Sequence, residues 1–433
     1  MEPIRTAIAR PRSVKRSCHL HRGFRLLSLG APPLRTLRAH RNIALCFDGT
    51  WNSDDRSSPT NVVKTWQAIR RGTSSGVKQL TYYDRGVGTG RFDRFRGGVL
   101  GLGLARNVEA AYQWLTENYR VRDRLFLFGY SRGAYTARSL AGLVGLCGIP
   151  DPGLCGLAAC RPEDAARQAM AIYRIPAGKD RQQRAARHRD VFCRAPAAPE
   201  VHGAEVLRPS SVVHFVGVWD TVGALGVPIT WLNWIGARRH RFHDVRLDRH
   251  IRRAYHAVAV DEGRRPFAPT LWQSPPAQGQ VVEQLWFPGV HGDVGGGRRQ
   301  TNLSDIALIW MWAKAWAAGL ALEPWYAFRG LAPDPYGPQG KMSLAYRVWG
   351  RHERPVGEAG EDGRPAVTGE AVHFSAIRRL ENPDSDAYRK GVASRTLLPA
   401  LEEERVRPAT LTPGEVNLKT LDWANPPGAR NPQ

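Results

Sequence analysis

Lysine is scarce in this chain. Of 62 basic residues only eight are lysine and 54 are arginine, against 39 acidic residues, which gives 433 residues a formal charge of +23. A surplus of that size fits either a polyanionic partner, nucleic acid or an anionic membrane surface, or an arginine skew of the kind biased codon usage produces. No nucleic-acid-binding motif occurs, so no nucleic acid is expected as a partner, and an anionic membrane surface stays open. The six cysteines, Cys18, Cys46, Cys147, Cys155, Cys160 and Cys193, show no C-x-x-C pair and no disulfide framework. They read as reduced thiols, and neither a metal site nor a cofactor is expected from them.

Long hydrophobic runs are missing too. The longest uncharged stretch beside the site proposed below, residues 221–237, is 17 residues broken by Pro228. That is too short and too interrupted for a membrane span. Residues 1–41 carry nine Arg and one Lys against one Glu, with no continuous apolar segment behind the charges. A secretory signal is therefore not expected, which leaves a cytoplasmic location or export by a signal-peptide-independent system.

What is present is enough apolar sequence, 42%, and enough aromatic sequence, 9% with 14 Trp, for a full core. Residues 1–41 are expected to be a basic, disordered extension, residues 42–394 a catalytic domain with an inserted segment at 150–210, and residues 395–433 a C-terminal extension and tail. Short apolar runs ending in turn residues predict strands at 42–47, 80–84, 124–128, 211–218 and 281–287. Helical spacing predicts helices near 61–71, 104–119, 134–146 and 303–320, and within the insertion at 163–174 and 179–192. Strands alternating with helices imply an α/β fold of α/β-hydrolase type. Its mostly parallel sheet would have helices on both faces and an inserted, partly helical cap.

The strongest chemical signal is Gly129-Tyr130-Ser131-Arg132-Gly133. A serine hydroxyl is a poor nucleophile until a base takes its proton, so its placement decides its use. Two flanking glycines permit a sharp strand-to-helix turn that raises the serine above the sheet. An apolar strand precedes this pentapeptide and an Ala/Leu/Gly helix follows it, which favours a nucleophile over a mere tight turn.

Chain order in such enzymes, nucleophile then acid then histidine, directs the search for partners. Asp220 closes a run that ends Val218-Trp219, and His291 follows Phe287-Pro288-Gly289-Val290. Both fall at expected carboxyl ends of strands, where open α/β sheets place their sites. Asp261, Asp293 and Asp244 compete for the acid, and each, like Asp220, could instead cap a loop. His214, His243 and His256 compete for the base. Backbone amides of Arg132, directly after the nucleophile, and of Gly49 or Thr50, closing the first strand, are the candidate oxyanion donors.

The motifs at 42–52 (NIALCFDGTWN), 86–90 (GVGTG), 128–138 (FGYSRGAYTAR), 217–222 (GVWDTV), 261–269 (DEGRRPFAP) and 287–297 (FPGVHGDVGGG) occur in one order. Together they resemble the type VI secretion lipase effectors of the first class and the broader α/β-hydrolase family to which their catalytic domain belongs. The resemblance runs from about residue 41 to about residue 394. It implies a triad falling on Ser131, Asp220 and His291, and an activity on ester-linked acyl chains of membrane phospholipids.

Trp231 and Trp234 lie in the uncharged stretch after Asp220, followed by Arg238, Arg239, His240 and Arg241. They could contact lipid at an interface or pack as ordinary core. The expected function is a serine hydrolase cleaving carboxylic esters through an acyl-enzyme, as a lipase or phospholipase on membrane lipids. A soluble carboxylesterase and a non-catalytic binding protein on the same fold are the alternatives. An aspartyl-phosphatase reading of 47–50 fails because Cys46 stands where its first acid would be, and a P-loop reading of 86–90 lacks the Lys-Ser/Thr pair.

Overall fold

The computed structural model describes residues 40–49, 58–86, 97–194, 201–202, 205–206, 213–222, 247–273, 275–323, 330–340, 353–358, 369–382, 392–409, 422–424 and 426–427. The chain divides into Met1–Arg38 and Ala39–Gln433, and everything below belongs to the second unit.

Among the described residues, seven strands form one wholly parallel sheet: β1 (Asn42–Phe47), β2 (Gln79–Asp84), β3 (Arg124–Tyr130), β4 (Val213–Trp219), β5 (Arg253–Ala259), β6 (Val281–Phe287) and β7 (Glu370–Val372), in the order β2-β1-β3-β4-β5-β6-β7. Every residue of β1 and β4 is buried, as strands covered on both faces must be, which is why they read as unbroken apolar runs. Two further strands, Val201–His202 and Glu205–Val206, make a separate antiparallel pair.

Helices α1 (Asn61–Ala68) and α8 (Asn302–Ala317) share a core with the Phe126, Phe128 and Phe215 side of the sheet. Helices α2 (Gly97–Asn118) and α3 (Arg132–Cys147) share one with the Leu45, Leu127 and Val216 side. Burying each such Phe or Leu contributes roughly 2 kcal/mol. Helix α8 is buried on almost all sides, so its charges need partners. Asp305 pairs with Lys64 of α1 at 2.6 Å, and Lys314 with Glu283 of β6 at 2.7 Å. No helix among the described residues is long and apolar enough to cross a membrane.

The described part of the insertion supplies α4 (Pro152–Leu157), α5 (Pro162–Tyr173) and α6 (Lys179–Phe192). Helix α5 lies on α2 and α3, α6 lies on the carboxyl half of α3, and α4 packs on α5 and α6. His188 of α6 sits between the Cys147 carbonyl, at 3.3 Å, and the Ala165 carbonyl, at 3.0 Å, while Tyr112 of α2 donates to Gly148 O at 2.9 Å. This helical layer thus covers the end of α3 remote from Ser131. After β6 come α7 (His291–Gly295), α8, β7, α9 (Phe374–Glu381) and α10 (Val392–Glu402).

The sheet order reverses beside β1, because the chain steps out to β2 and then crosses back to β3. That switch point at the carboxyl edge is where such sheets hold ligands. It requires β3, its turn and α3 to pass tightly against β1. A Cβ on Gly133 would lie 2.1 Å from Phe47 O and 2.6 Å from Asp48 O, and one on Gly129 would lie 2.5 Å from Gly133 O. Alanine gains about 1 kcal/mol of helix propensity over glycine, too little to offset a clash with fixed strand backbone. Gly133→Ala is expected to lose about 3 kcal/mol or more in urea unfolding. A loss within about 0.5 kcal/mol would contradict the close crossing.

Candidate active site

Ser131 forms the turn between β3 and α3 with φ 58° and ψ −120°, a left-handed conformation that an L-residue holds only when its surroundings enforce it. Its amide donates to Trp219 O at 3.1 Å, tying the turn to the end of β4. Asp220 follows directly, also at positive φ, 40°, with its amide donating to Ala257 O at 2.7 Å. Adjacent parallel strands therefore deliver the serine and the acid side by side.

His291 begins α7, two strands further along, and its loop must reach back over β5. Three consecutive amides of that loop are each held by a buried carboxylate. Gly289 N–H donates to Asp261 Oδ2 at 2.6 Å, Val290 N–H to Asp293 Oδ2 at 3.0 Å, and His291 N–H to Glu262 Oε2 at 3.1 Å. Tyr130 fixes the ring from below. Its centroid is 4.7 Å from that of His291, its hydroxyl donates to His291 O at 3.2 Å, and a Cβ on Gly295 would intrude to 1.9 Å from it. Phe267 closes the other side edge-on at 4.9 Å.

The three side chains meet. His291 Nε2 is 2.9 Å from Ser131 Oγ, and His291 Nδ1 is 2.6 Å from Asp220 Oδ2. A proton on Nδ1, donated to the carboxylate, leaves Nε2 as the acceptor for the serine hydroxyl. Burial alone would raise the Asp220 pKa, but Arg354 and His291 outweigh it and hold the carboxyl well below the ordinary carboxylate range. This is a serine-hydrolase-like active site.

The competing residues have other partners. His214 meets Ala318 O at 2.8 Å, and burial among arginines holds its pKa well down. His256 accepts from Thr221 N–H at 3.0 Å, meets Gln284 Oε1 at 3.2 Å, and is kept neutral by burial, its pKa lowered to about 3. Asp261 and Asp293 bind loop amides. His243 and Asp244 lie outside the described residues, as do Trp231, Trp234 and Thr50.

Arg132 opens α3, so its amide lies at the positive end of that helix, next to Ser131. Gly49 also lies beside Ser131, where an added Cβ would be 3.3 Å from Ser131 Cβ. Its amide, however, donates to Asp48 Oδ1 at 2.8 Å. The expectation of Gly49 as an oxyanion donor is corrected to that extent: the carboxylate one residue before it has taken the N–H. Among the described residues no group of His, Cys, Asp or Glu is arranged to hold a metal ion.

Two groups at the site are given no role by the sequence. Glu262 belongs to the 261–269 motif, and a short acidic-to-basic spacing to Arg264 could have marked it, since Arg264 grips its carboxylate at 2.7 Å through two nitrogens. Arg354, fully buried against Asp220, has no local signature.

Asp48 is buried and accepts from Thr60 Oγ1 and Tyr83 Oη, both at 2.9 Å, besides Gly49. Burial pushes its pKa up to about 6 against the relief these donors give. Folded protein thus keeps this proton to about pH 6, whereas the unfolded chain releases it near pH ~4. Stability is therefore expected to fall as pH rises through that window, by up to about 3 kcal/mol. Denaturant unfolding of Asp48→Asn should lack this fall between pH 4 and 7. An identical slope in both proteins would contradict the assignment.

Known proteins resemble parts of this chain. "Uncharacterized protein YEL023C" of Saccharomyces cerevisiae is 25% identical over 242 residues, 52% of this chain and 32% of that protein, so the match spans about a third of its length. Among solved structures, an uncharacterized protein from Pseudomonas aeruginosa aligns with 66% of this chain and 47% of its own at 20% identity and TM-score 0.36. The Tle1 effector bound to the VgrG spike from the type 6 secretion system aligns with 60% of this chain and 52% of its own at 18% identity and TM-score 0.34. Over residues 41–314, from the start of the sheet to α8, the chain belongs to the family described as "T6SS, Phospholipase effector Tle1-like, catalytic domain".

Proposed function

We propose that this chain is a lipase or phospholipase that cleaves carboxylic esters of membrane lipids through an acyl-enzyme on Ser131. The observation that carries the reading is the unbroken hydrogen-bond chain from Ser131 Oγ through His291 to Asp220. His291 Nε2 takes the hydroxyl proton as Oγ attacks the ester carbonyl, and Asp220 stabilises the imidazolium that forms. The same proton goes to the departing alcohol. Water, activated by the freed imidazole, then attacks the acyl-Ser131 ester and releases the carboxylic acid.

Negative charge on the carbonyl oxygen needs fixed donors. We assign one to the Arg132 amide. Because Asp48 holds the Gly49 amide, the second assignment falls on Thr50. Membership of a phospholipase effector family supports a lipid substrate and delivery by a type VI secretion system. Trp231 and Trp234, with the arginines that follow, are the proposed lipid contacts at an anionic surface. Residues 42–394 are the proposed catalytic unit.

Purified protein is expected to release fatty acid from mixed phosphatidylethanolamine and phosphatidylglycerol vesicles and to hydrolyse p-nitrophenyl butyrate. Ser131→Ala should lower both by at least about 1,000-fold with little change in Tm. Hydrolysis of the soluble ester alone would indicate a soluble carboxylesterase, and full activity in the Ala variant would remove the nucleophile from the account.

A further inference from the structure

Arg354 is wholly buried, and a buried guanidinium is costly unless its charge and donors are met. Its Nη1 donates to Asp220 Oδ1 at 2.5 Å and to Ala259 O at 2.7 Å, and its Nη2 to Asp220 Oδ2 at 3.0 Å and to Phe267 O at 2.7 Å. Nε is buried without a hydrogen-bond partner, so the group is placed for its two terminal nitrogens, both of which engage the carboxylate. Ala259 N–H adds a bond to Asp220 Oδ1 at 2.9 Å. Oδ2 is thus shared between Arg354 and His291, while Oδ1 is shared between Arg354 and backbone.

The segment carrying Arg354 is itself fixed. Val356 lies in the core formed around β7, α9 and α10, Gly357 N–H donates to Glu370 Oε1 at 2.8 Å, and Arg405 donates to Val356 O at 3.1 Å. It lies 40 residues beyond the end of the matched family region, 314 to 354.

We propose that Arg354 is a positioning residue for the triad: its fork fixes the plane of the Asp220 carboxylate, and so the direction in which Oδ2 holds His291 Nδ1, and its charge offsets that of the buried acid. This rests on the reading of Ser131, His291 and Asp220 as a catalytic triad. A lone Asp favours the imidazolium strongly. With Arg354 on the same carboxylate, protonating His291 places a second positive charge near the first, a repulsion that removing the guanidinium would relieve. The other ionisable groups facing the couple do not cancel this effect. Glu262 is neutralised by the two-nitrogen grip of Arg264, His256 is held neutral by burial, the Tyr130 hydroxyl is kept protonated by burial, and Asp48 is bonded to Thr60 and Tyr83.

The test is the pH profile of kcat/KM for p-nitrophenyl butyrate in the full chain. Arg354→Met, which removes the charge, is expected to move the acid limb to higher pH by about one unit or more and to lower kcat at least tenfold. Arg354→Lys keeps the charge but cannot form the fork. It should retain an acid limb within a few tenths of a unit of wild type while losing at least tenfold in kcat, with KM little changed. A folded Met variant with the wild-type limb overturns the charge effect. Should the Met variant not fold, a Lys variant with wild-type kcat overturns the positioning role. Absence of Ser131-dependent activity in the wild type would instead sink the triad reading, a different failure from either.

Discussion

A carboxylate with no exposure to water must have its charge answered where it sits, and the arrangement around Asp220 follows from that requirement. Both oxygens are occupied, by His291, Arg354 and the Ala259 amide. The backbone at Asp220 is drawn to φ 40° to present them. Because Asp220 ends the strand next to the one that ends in Ser131, the acid and the nucleophile share one stretch of sheet edge, and only the histidine has to be brought from a distance. The constraint thus passes from Asp220 to the His291 loop.

That loop is secured by carboxylates used as amide acceptors. Asp261, Asp293 and Glu262 take one N–H each from residues 289–291, and Arg264 in turn grips Glu262 and stacks over Phe267 with its guanidinium carbon 3.6 Å from the ring centre. Ring contacts from Tyr130 and Phe267 leave the imidazole little freedom. Such support costs three buried acids, and it matters because the reacting nitrogen has to stay within hydrogen-bond reach of Oγ. The described helices of the insertion make none of these contacts. Of them, α5 packs on α2 and α3 and α6 on the far end of α3.

The sequence shows the features whose causes are local. Strand β3, the turn at Ser131 and helix α3 are contiguous, and Gly129 and Gly133 record how closely they cross, so the proposed nucleophile is legible in five residues. Asp220 and His291 follow from chain order, and both sit at strand ends. Strand β5 does not announce itself, because Arg253 and His256 break its apolar run, and His256 finds its partners, Thr221 and Gln284, elsewhere in the chain. Strand β7 has three residues, too few for a pattern. Asp261 and Asp293 resemble candidate acids as closely as Asp220 does until the loop they bind is seen. Arg354 is one arginine among 54, and its role exists only in the contact it makes.

The central claim is that Ser131 is an activated nucleophile in the folded protein. The most direct test is reaction of the native chain with a fluorophosphonate, followed by peptide mass spectrometry. The account predicts a single covalent adduct on Ser131 that is lost on denaturing the protein before labelling. A folded protein that gains no adduct, or gains it at another residue, would contradict it.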